Sequence, residues 1–233
     1  MKFFSHFDID NSSRHITFFL NGHQGGPGAF SGVLDLFKSD LVSVPYPGHQ
    51  SDYMSYDKIS GVDDYVCSCV DFIRKRSQGY ESVSLVGYSM GGALSVIISS
   101  LIPVEKVILF APALSLRERE VTGKEAQAEI NPRLKAMCDD EDLEVIRFYS
   151  RTHENTVLEK IIKKACECEG DFSSGIAFLG KKDPVIDCDK AESVLKKLAF
   201  PVVISNDSTH AMLYDEGTPF IRKCLEGYFN SRN

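Results

Sequence analysis

Val83-Ser84-Leu85-Val86-Gly87-Tyr88-Ser89-Met90-Gly91-Gly92-Ala93 is the stretch on which the reading of this chain turns. A β-favouring apolar segment runs straight into Gly-x-Ser-x-Gly and then into helix formers, which is the setting of a nucleophilic serine. At such a junction the serine takes a strained backbone conformation that brings the residues two before and two after it together. Gly87 and Gly91 remove the collision that side chains would make there. With glycine and serine each about 7% of residues, a chain of this length meets the five-residue pattern by accident roughly 0.1 times. The requirement that the match also end a strand and open a helix narrows it further.

Outward from this junction, short β-rich apolar runs recur over residues 15–20, 41–44, 82–86, 104–110, 175–179 and 201–205, alternating with helical stretches. That pattern predicts an α/β fold, a mostly parallel sheet flanked by helices on both faces. Residues 62–76 place Val62, Tyr65, Val66, Cys69, Val70 and Ile73 at helical spacing, an amphipathic helix. Residues 112–174 are charged, helix-favouring and longer than an ordinary connection, so we expect one domain over 1–233 with 112–174 as an inserted helical cap after the strand at 104–110. Within it, Val157, Leu158, Ile161, Ile162 and Ala165 share one helical face, read as the side that rests on the main domain; contact with substrate is the other reading.

Composition bounds the function. Lys and Arg number 26 against 33 Asp and Glu, a net charge of −7, and the acidic residues are scattered, so no basic footprint for nucleic acid is present. Met1 to Asp10 holds too short an apolar run for a signal segment, and the longest apolar stretch, around residues 93–104, is broken by Ser95, Ser99, Ser100 and Pro103. Neither a leader nor a membrane span is expected. The seven cysteines are an odd number, which favours a reducing cytoplasm. Cys67-Ser68-Cys69 and Cys166-Glu167-Cys168 space their thiols by one residue, against the two to four of zinc sites, so no metal and no cofactor are expected.

A serine hydroxyl near neutral pH needs a histidine to accept its proton and a carboxylate to hold that histidine in the right tautomer. Of six histidines, His153 and His210 follow Ser89; His153 sits among Arg151, Glu154 and Asn155 as a surface residue, whereas His210 follows the last strand through Asn206-Asp207-Ser208-Thr209. His210 is therefore the candidate base. Asp183 follows the strand at 175–179 and precedes Pro184, the position for the acid, with Asp187, Asp189 and Asp207 as rivals. An oxyanion hole must supply two N–H groups: Met90, after the nucleophile, offers one, and the loop Asn21-Gly22-His23-Gln24-Gly25-Gly26-Pro27-Gly28 offers the other through His23. No Gly-Lys-Ser/Thr follows that loop, which argues against a phosphate cradle.

With these residues placed, the chain resembles the α/β-hydrolase superfamily over nearly all of its length except the cap. The nucleophile elbow maps onto Gly87 to Gly91, the acid onto Asp183, the histidine onto His210, and the His-Gly oxyanion loop onto Asn21-Gly22 with His23 as donor; Asn21 stands where the family usually has histidine. Pro47-Gly48-His49-Gln50-Ser51 is similar to the family's Pro-Gly-His-Gly-x-Ser loop, with Gln50 in place of glycine. Short length and a single cap are similar to small bacterial carboxylesterases and thioesterases, including those acting on carrier-bound acyl chains. The resemblance implies a serine hydrolase of a carboxylic ester or thioester acting through an acyl-enzyme on Ser89. An acyltransferase using the same residues, or a non-catalytic ligand-binding member of the fold, is the alternative. Serine at the elbow argues against the dehalogenase and epoxide hydrolase branches, which carry aspartate there. The basic residues Arg117, Arg119, Arg133, Arg147, Arg151, Lys160, Lys163 and Lys164 are read as solvated helix faces, with an acidic carrier as the alternative partner.

Overall fold

Each of the six apolar runs forms a strand, and the packing on both sides explains why the runs are mostly apolar rather than strictly alternating. A computed structural model describes residues 5–23, 25–46, 61–117 and 156–231. Among them, seven strands form one sheet: β1 Asp8–Ile9, β2 His15–Leu20, β3 Asp40–Ser43, β4 Ser82–Tyr88, β5 Lys106–Phe110, β6 Ile176–Gly180 and β7 Val202–Ser205. Their order is β1-β3-β2-β4-β5-β6-β7, parallel except for β1, which pairs antiparallel with β3. Five α-helices are described: α1 Val62–Arg76, α2 Met90–Ser99, α3 Thr156–Cys166, α4 Cys188–Lys197 and α5 Thr218–Asn230.

The two faces of β2 show how the layers divide. Ile16, Phe18 and Leu20 point into a core shared with α1, α2, α3 and α4, while Phe19 points into the opposite core under α5 and the short turns Pro27–Phe30 and Leu34–Leu36. Phe19 there makes edge-on ring contacts with Phe7, Phe30 and Phe37 at centroid distances of 5.4, 5.1 and 5.1 Å. Each such pair adds about 0.5–1.5 kcal/mol beyond burial, and together they fix the chain that leaves the glycine-rich loop. Helix α1 has the bounds its periodicity predicts and buries Tyr65, Val66, Cys69, Val70 and Ile73.

In α3 the apolar face is the packed one: Ile161 and Ala165 are fully buried in the core with α1 and α2, and Lys164 pairs with Asp63 of α1 at 2.8 Å. This helix therefore rests on the body of the protein, and its apolar face is occupied. Residues 118–155 of the expected cap lie outside the described residues. Strand β5 begins two residues later than the apolar run, although Glu105 N still donates to Val83 O at 2.7 Å. Strand β4 runs two residues further than its apolar run, to the residue before Ser89.

Candidate active site

Ser89 sits between β4 and α2 with φ 55° and ψ −118°, a left-handed conformation that costs a non-glycine residue of order 1–3 kcal/mol. Neighbours hold it there. Ser89 N donates to Phe110 O at 3.0 Å, and Ser89 O accepts from Gly92 N and Ala113 N, both at 2.9 Å. The glycines answer two separate crowding problems. A Cβ on Gly87 would lie 2.4 Å from Gly91 O, as the motif implies, but one on Gly91 would lie 1.8 Å from Leu20 O of β2. Gly91 thus lets α2 approach the strand that feeds the glycine-rich loop.

Strand ends bring the three candidate groups into one hydrogen-bonded chain. Ser89 Oγ donates to His210 Nε2 at 3.0 Å, and His210 Nδ1 donates to Asp183 Oδ2 at 2.8 Å. The carboxylate has only acceptors to offer, so it sets the imidazole proton on Nδ1 and leaves Nε2 to accept from serine. The other oxygen, Oδ1, accepts from Val185 N at 2.7 Å and Ile186 N at 2.9 Å. Asp183 is 2% exposed, and both its oxygens are engaged, as burial of a charge requires. Arg117 Nε donates to the carbonyls of Asp183 and Ile186 at 2.8 and 3.3 Å, tying the chain that enters the insert to the acid loop.

The rival carboxylates have other occupations. Asp187 caps α4 by accepting from Lys190 N at 3.1 Å, Asp189 pairs with Lys181 at 2.8 Å, and Asp207 pairs with Lys182 at 2.9 Å. His6 contacts Ser43 Oγ at 3.1 Å and His15 contacts Ser82 Oγ at 2.7 Å, both away from Ser89. His49, His153 and the segment 47–51 lie outside the described residues.

The glycine-rich loop presses directly on Ser89, since a Cβ on Gly22 would lie 3.1 Å from Ser89 Cβ. His23 follows at once, and burial pushes its imidazole down to about 4, so the ring is neutral near pH 7. Asn21 is 1% exposed and acts as an internal brace: its Nδ2 donates to Gly25 O at 2.6 Å and Gly22 O at 3.2 Å. Tyr46 OH donates to Asn21 O at 2.8 Å from below. Met90 opens α2, where a first-turn amide has no intrahelical acceptor and the helix dipole favours an anion.

Sequence reasoning passed over the groups that support the histidine loop. Asp215, 7% exposed, accepts at Oδ2 from Thr209 N at 2.6 Å and Thr209 Oγ1 at 2.9 Å, and at Oδ1 from Gly217 N at 2.8 Å. Ser208 Oγ donates to Ser205 Oγ at 2.7 Å, both residues being buried. Tyr88 OH donates to the carbonyl of His210, and its ring stacks on the imidazole. The available signal was the polar density of residues 205–210 just past an apolar strand, which favours side-chain-to-backbone turns.

No family model matches the chain. Over 108 residues it is 33% identical to a Mycoplasma genitalium protein provisionally named esterase/lipase 2, a match covering 42% of this chain and 38% of that protein. The chain thus spans well under two thirds of that curated relative. A lipase-esterase related protein from Clostridium acetobutylicum superposes with a TM-score of 0.67 at 15% identity, over 96% of this chain and 98% of that one. An epoxide hydrolase from Bacillus megaterium superposes with a TM-score of 0.64 at 14% identity, over 97% and 96%. At such identities the likeness is one of fold. Among the described residues, no helix is long and apolar enough to cross a membrane.

Proposed function

We propose that this chain, which has the α/β-hydrolase fold, is a serine hydrolase that cleaves a carboxylic ester or thioester through an acyl-enzyme on Ser89. The single observation that carries the reading is the Ser89–His210–Asp183 chain of hydrogen bonds at 3.0 and 2.8 Å, with Ser89 in the left-handed conformation of an elbow. In the proposed reaction His210 Nε2 takes the hydroxyl proton as Oγ attacks the acyl carbon. The carbonyl oxygen becomes an anion, held by the N–H groups of Met90 and His23. Collapse expels the alcohol or thiol, which leaves with the proton from Nε2. Water then repeats the sequence on the acyl-enzyme, and Asp183 stabilises the imidazolium each time it forms.

Serine at the elbow supports acyl chemistry over the epoxide hydrolase branch, although solved structures of similar fold carry that name. A small acyl ester or thioester is the inferred substrate class. Arg117 and Lys164, two of the basic residues a carrier protein would need, are engaged within the chain. Free cysteines, among them Cys69 and Cys188 in the core, support a reducing, cytoplasmic location. The expected single domain with residues 112–174 as its insert is supported at both ends of that segment. Leu116 bridges to Ile186 on one side, and α3 packs on α1 and α2 on the other.

The test is labelling with a fluorophosphonate, which reacts with an activated serine, together with turnover of a panel of short and long acyl esters and thioesters. Wild type is expected to be labelled and Ser89→Ala to be spared. Folded wild type that neither labels nor turns over any panel member refutes the reading in favour of a ligand-binding role. Acyl transfer to an added alcohol in preference to water identifies the transferase alternative.

A further inference from the structure

The support of His210 is unequal on its two sides, and the unusual part comes from the nucleophile's own strand. On the N-terminal side, Thr209 is held through both its amide and its hydroxyl by Asp215, a carboxylate from a few residues further along the same loop. On the C-terminal side, the carbonyl of His210 accepts from Tyr88 OH across a sequence separation of 122 residues. Tyr88 is the last residue of β4 and the immediate neighbour of Ser89. The same ring lies against the imidazole with centroids 5.5 Å apart and planes 26° from parallel. One side chain thus touches the base twice, at its main chain and at its ring face, and is joined by a single peptide bond to the nucleophile.

From this geometry we infer that Tyr88 is a positioning residue that registers His210 against Ser89, so that the Oγ to Nε2 contact is set by the elbow rather than by the long loop after β7. The inference rests on the reading of Ser89 and His210 as nucleophile and base. Tyr88 is 5% exposed and sealed beneath the loop by Phe30, whose ring meets it edge-on at 6.3 Å. Its hydroxyl also has Tyr214 in hydrogen-bond contact, and burial holds the phenol well above its usual range, so it stays a donor at every working pH. The role matters because residues 206–210 form a connection without regular structure. A shift of about 1 Å in the base is enough to reduce a rate by about 100-fold. A hydroxyl that grips the histidine carbonyl removes that freedom without touching substrate.

Tyr88→Phe isolates the idea, because it keeps the ring and the stack while deleting the hydroxyl. Tyr88→Leu removes both. The readout is the burst of a short-chain p-nitrophenyl ester: its amplitude counts competent sites, and its rate constants report acylation and deacylation per site. For Tyr88→Phe both rate constants are expected to fall about tenfold, the scale of one buried hydrogen bond felt at the reacting centre. KM is expected to move less than about twofold, with amplitude and melting temperature near wild type. Tyr88→Leu is expected to fall further. If Tyr88→Phe keeps wild-type rate constants per site, or loses only burst amplitude, Tyr88 is structural and the inference is overturned. If wild-type Ser89 fails to react with the ester or with the fluorophosphonate, the assignment of the nucleophile fails first and this inference with it.

Discussion

Gly91→Ala adds one methyl group at the point where α2 meets the glycine-loop strand, and two effects of opposite sign compete there. Alanine is the better helix former by about 0.5–1 kcal/mol. The new Cβ, however, would stand 1.8 Å from Leu20 O, 2.4 Å from Leu20 C and 2.6 Å from Asn21 O, all backbone atoms with no rotamer to change. An ordinary carbon–oxygen contact is about 3.3 Å, so α2 and the end of β2 must separate by about 1.5 Å. Overpacking of this kind costs about 1–3 kcal/mol, and an immovable main chain places the site at the upper end. The clash wins: for a chain of this size the melting temperature should fall by about 5–10 °C. The larger consequence is local, because Asn21-Gly22-His23 continues directly from Leu20 and lies against Ser89. A loop displaced by about 1.5 Å takes the proposed His23 donor out of reach and should lower kcat about 100-fold or more. Calorimetry gives the first number and turnover per titrated site the second. A variant that melts within about 2 °C of wild type and turns over within about threefold of it would show that this contact is not tight and that the glycine has no such role.

Two further substitutions follow from the site's geometry. In Asp183→Asn the amide oxygen takes the Val185 and Ile186 N–H donors, which turns the NH2 toward His210 Nδ1 and drives the imidazole proton to Nε2, the wrong tautomer; kcat should fall about 10⁴-fold, and a steady-state loss below about tenfold would refute the assignment of the acid. His23 is neutral in the folded chain down to about 4, whereas the unfolded chain protonates it from 6.5, so stability should decline as pH falls through that window, by about 3 kcal/mol. His23→Gln should flatten the slope of melting temperature between pH 6.5 and 4; equal slopes in the two proteins would rule out this origin.

Runs of β-branched and aromatic residues show where strands lie because both faces of a parallel sheet are covered, so the apolar signal extends to most positions of a strand. Strand β1, two residues at an antiparallel edge, carries no such signal. Helices α4 and α5 each bury a stripe, Cys188, Ala191 and Leu195 in one and Ile221, Leu225 and Tyr228 in the other, too narrow to stand out from the charged residues around it. For the site, Ser89 was legible because its strain must be relieved by glycines at fixed spacing, and Asp183 and His210 because the fold places them after named strands. Tyr88 and Asp215 were not legible in the same way. Their roles depend on which loop lies over them, and nothing in a tyrosine before a serine or an aspartate after a histidine states that distance.

How the loop after β7 reaches Ser89 explains why those residues are needed. Neighbouring strands lie about 4.8 Å apart, so β7, three places from β4 in the sheet, ends about 14 Å from Ser89. No histidine side chain spans that gap, and the chain itself must turn back across the end of β6. It does so close to the backbone there: Ser208 O accepts from Lys182 N at 3.1 Å and lies 2.4 Å from where a Cβ on Gly180 would stand. Ser205 and Ser208 pin the start of the return, Asp215 pins Thr209, and Tyr88 receives the far end at the carbonyl of His210. Asp183 follows β6, directly beneath this crossing, which is why the imidazole meets the carboxylate on its way to the serine. The order of serine, acid and histidine along the chain is thus a consequence of strand order. His210 must cross over Asp183 to reach Ser89, and the buried polar groups along that path are what keep it there.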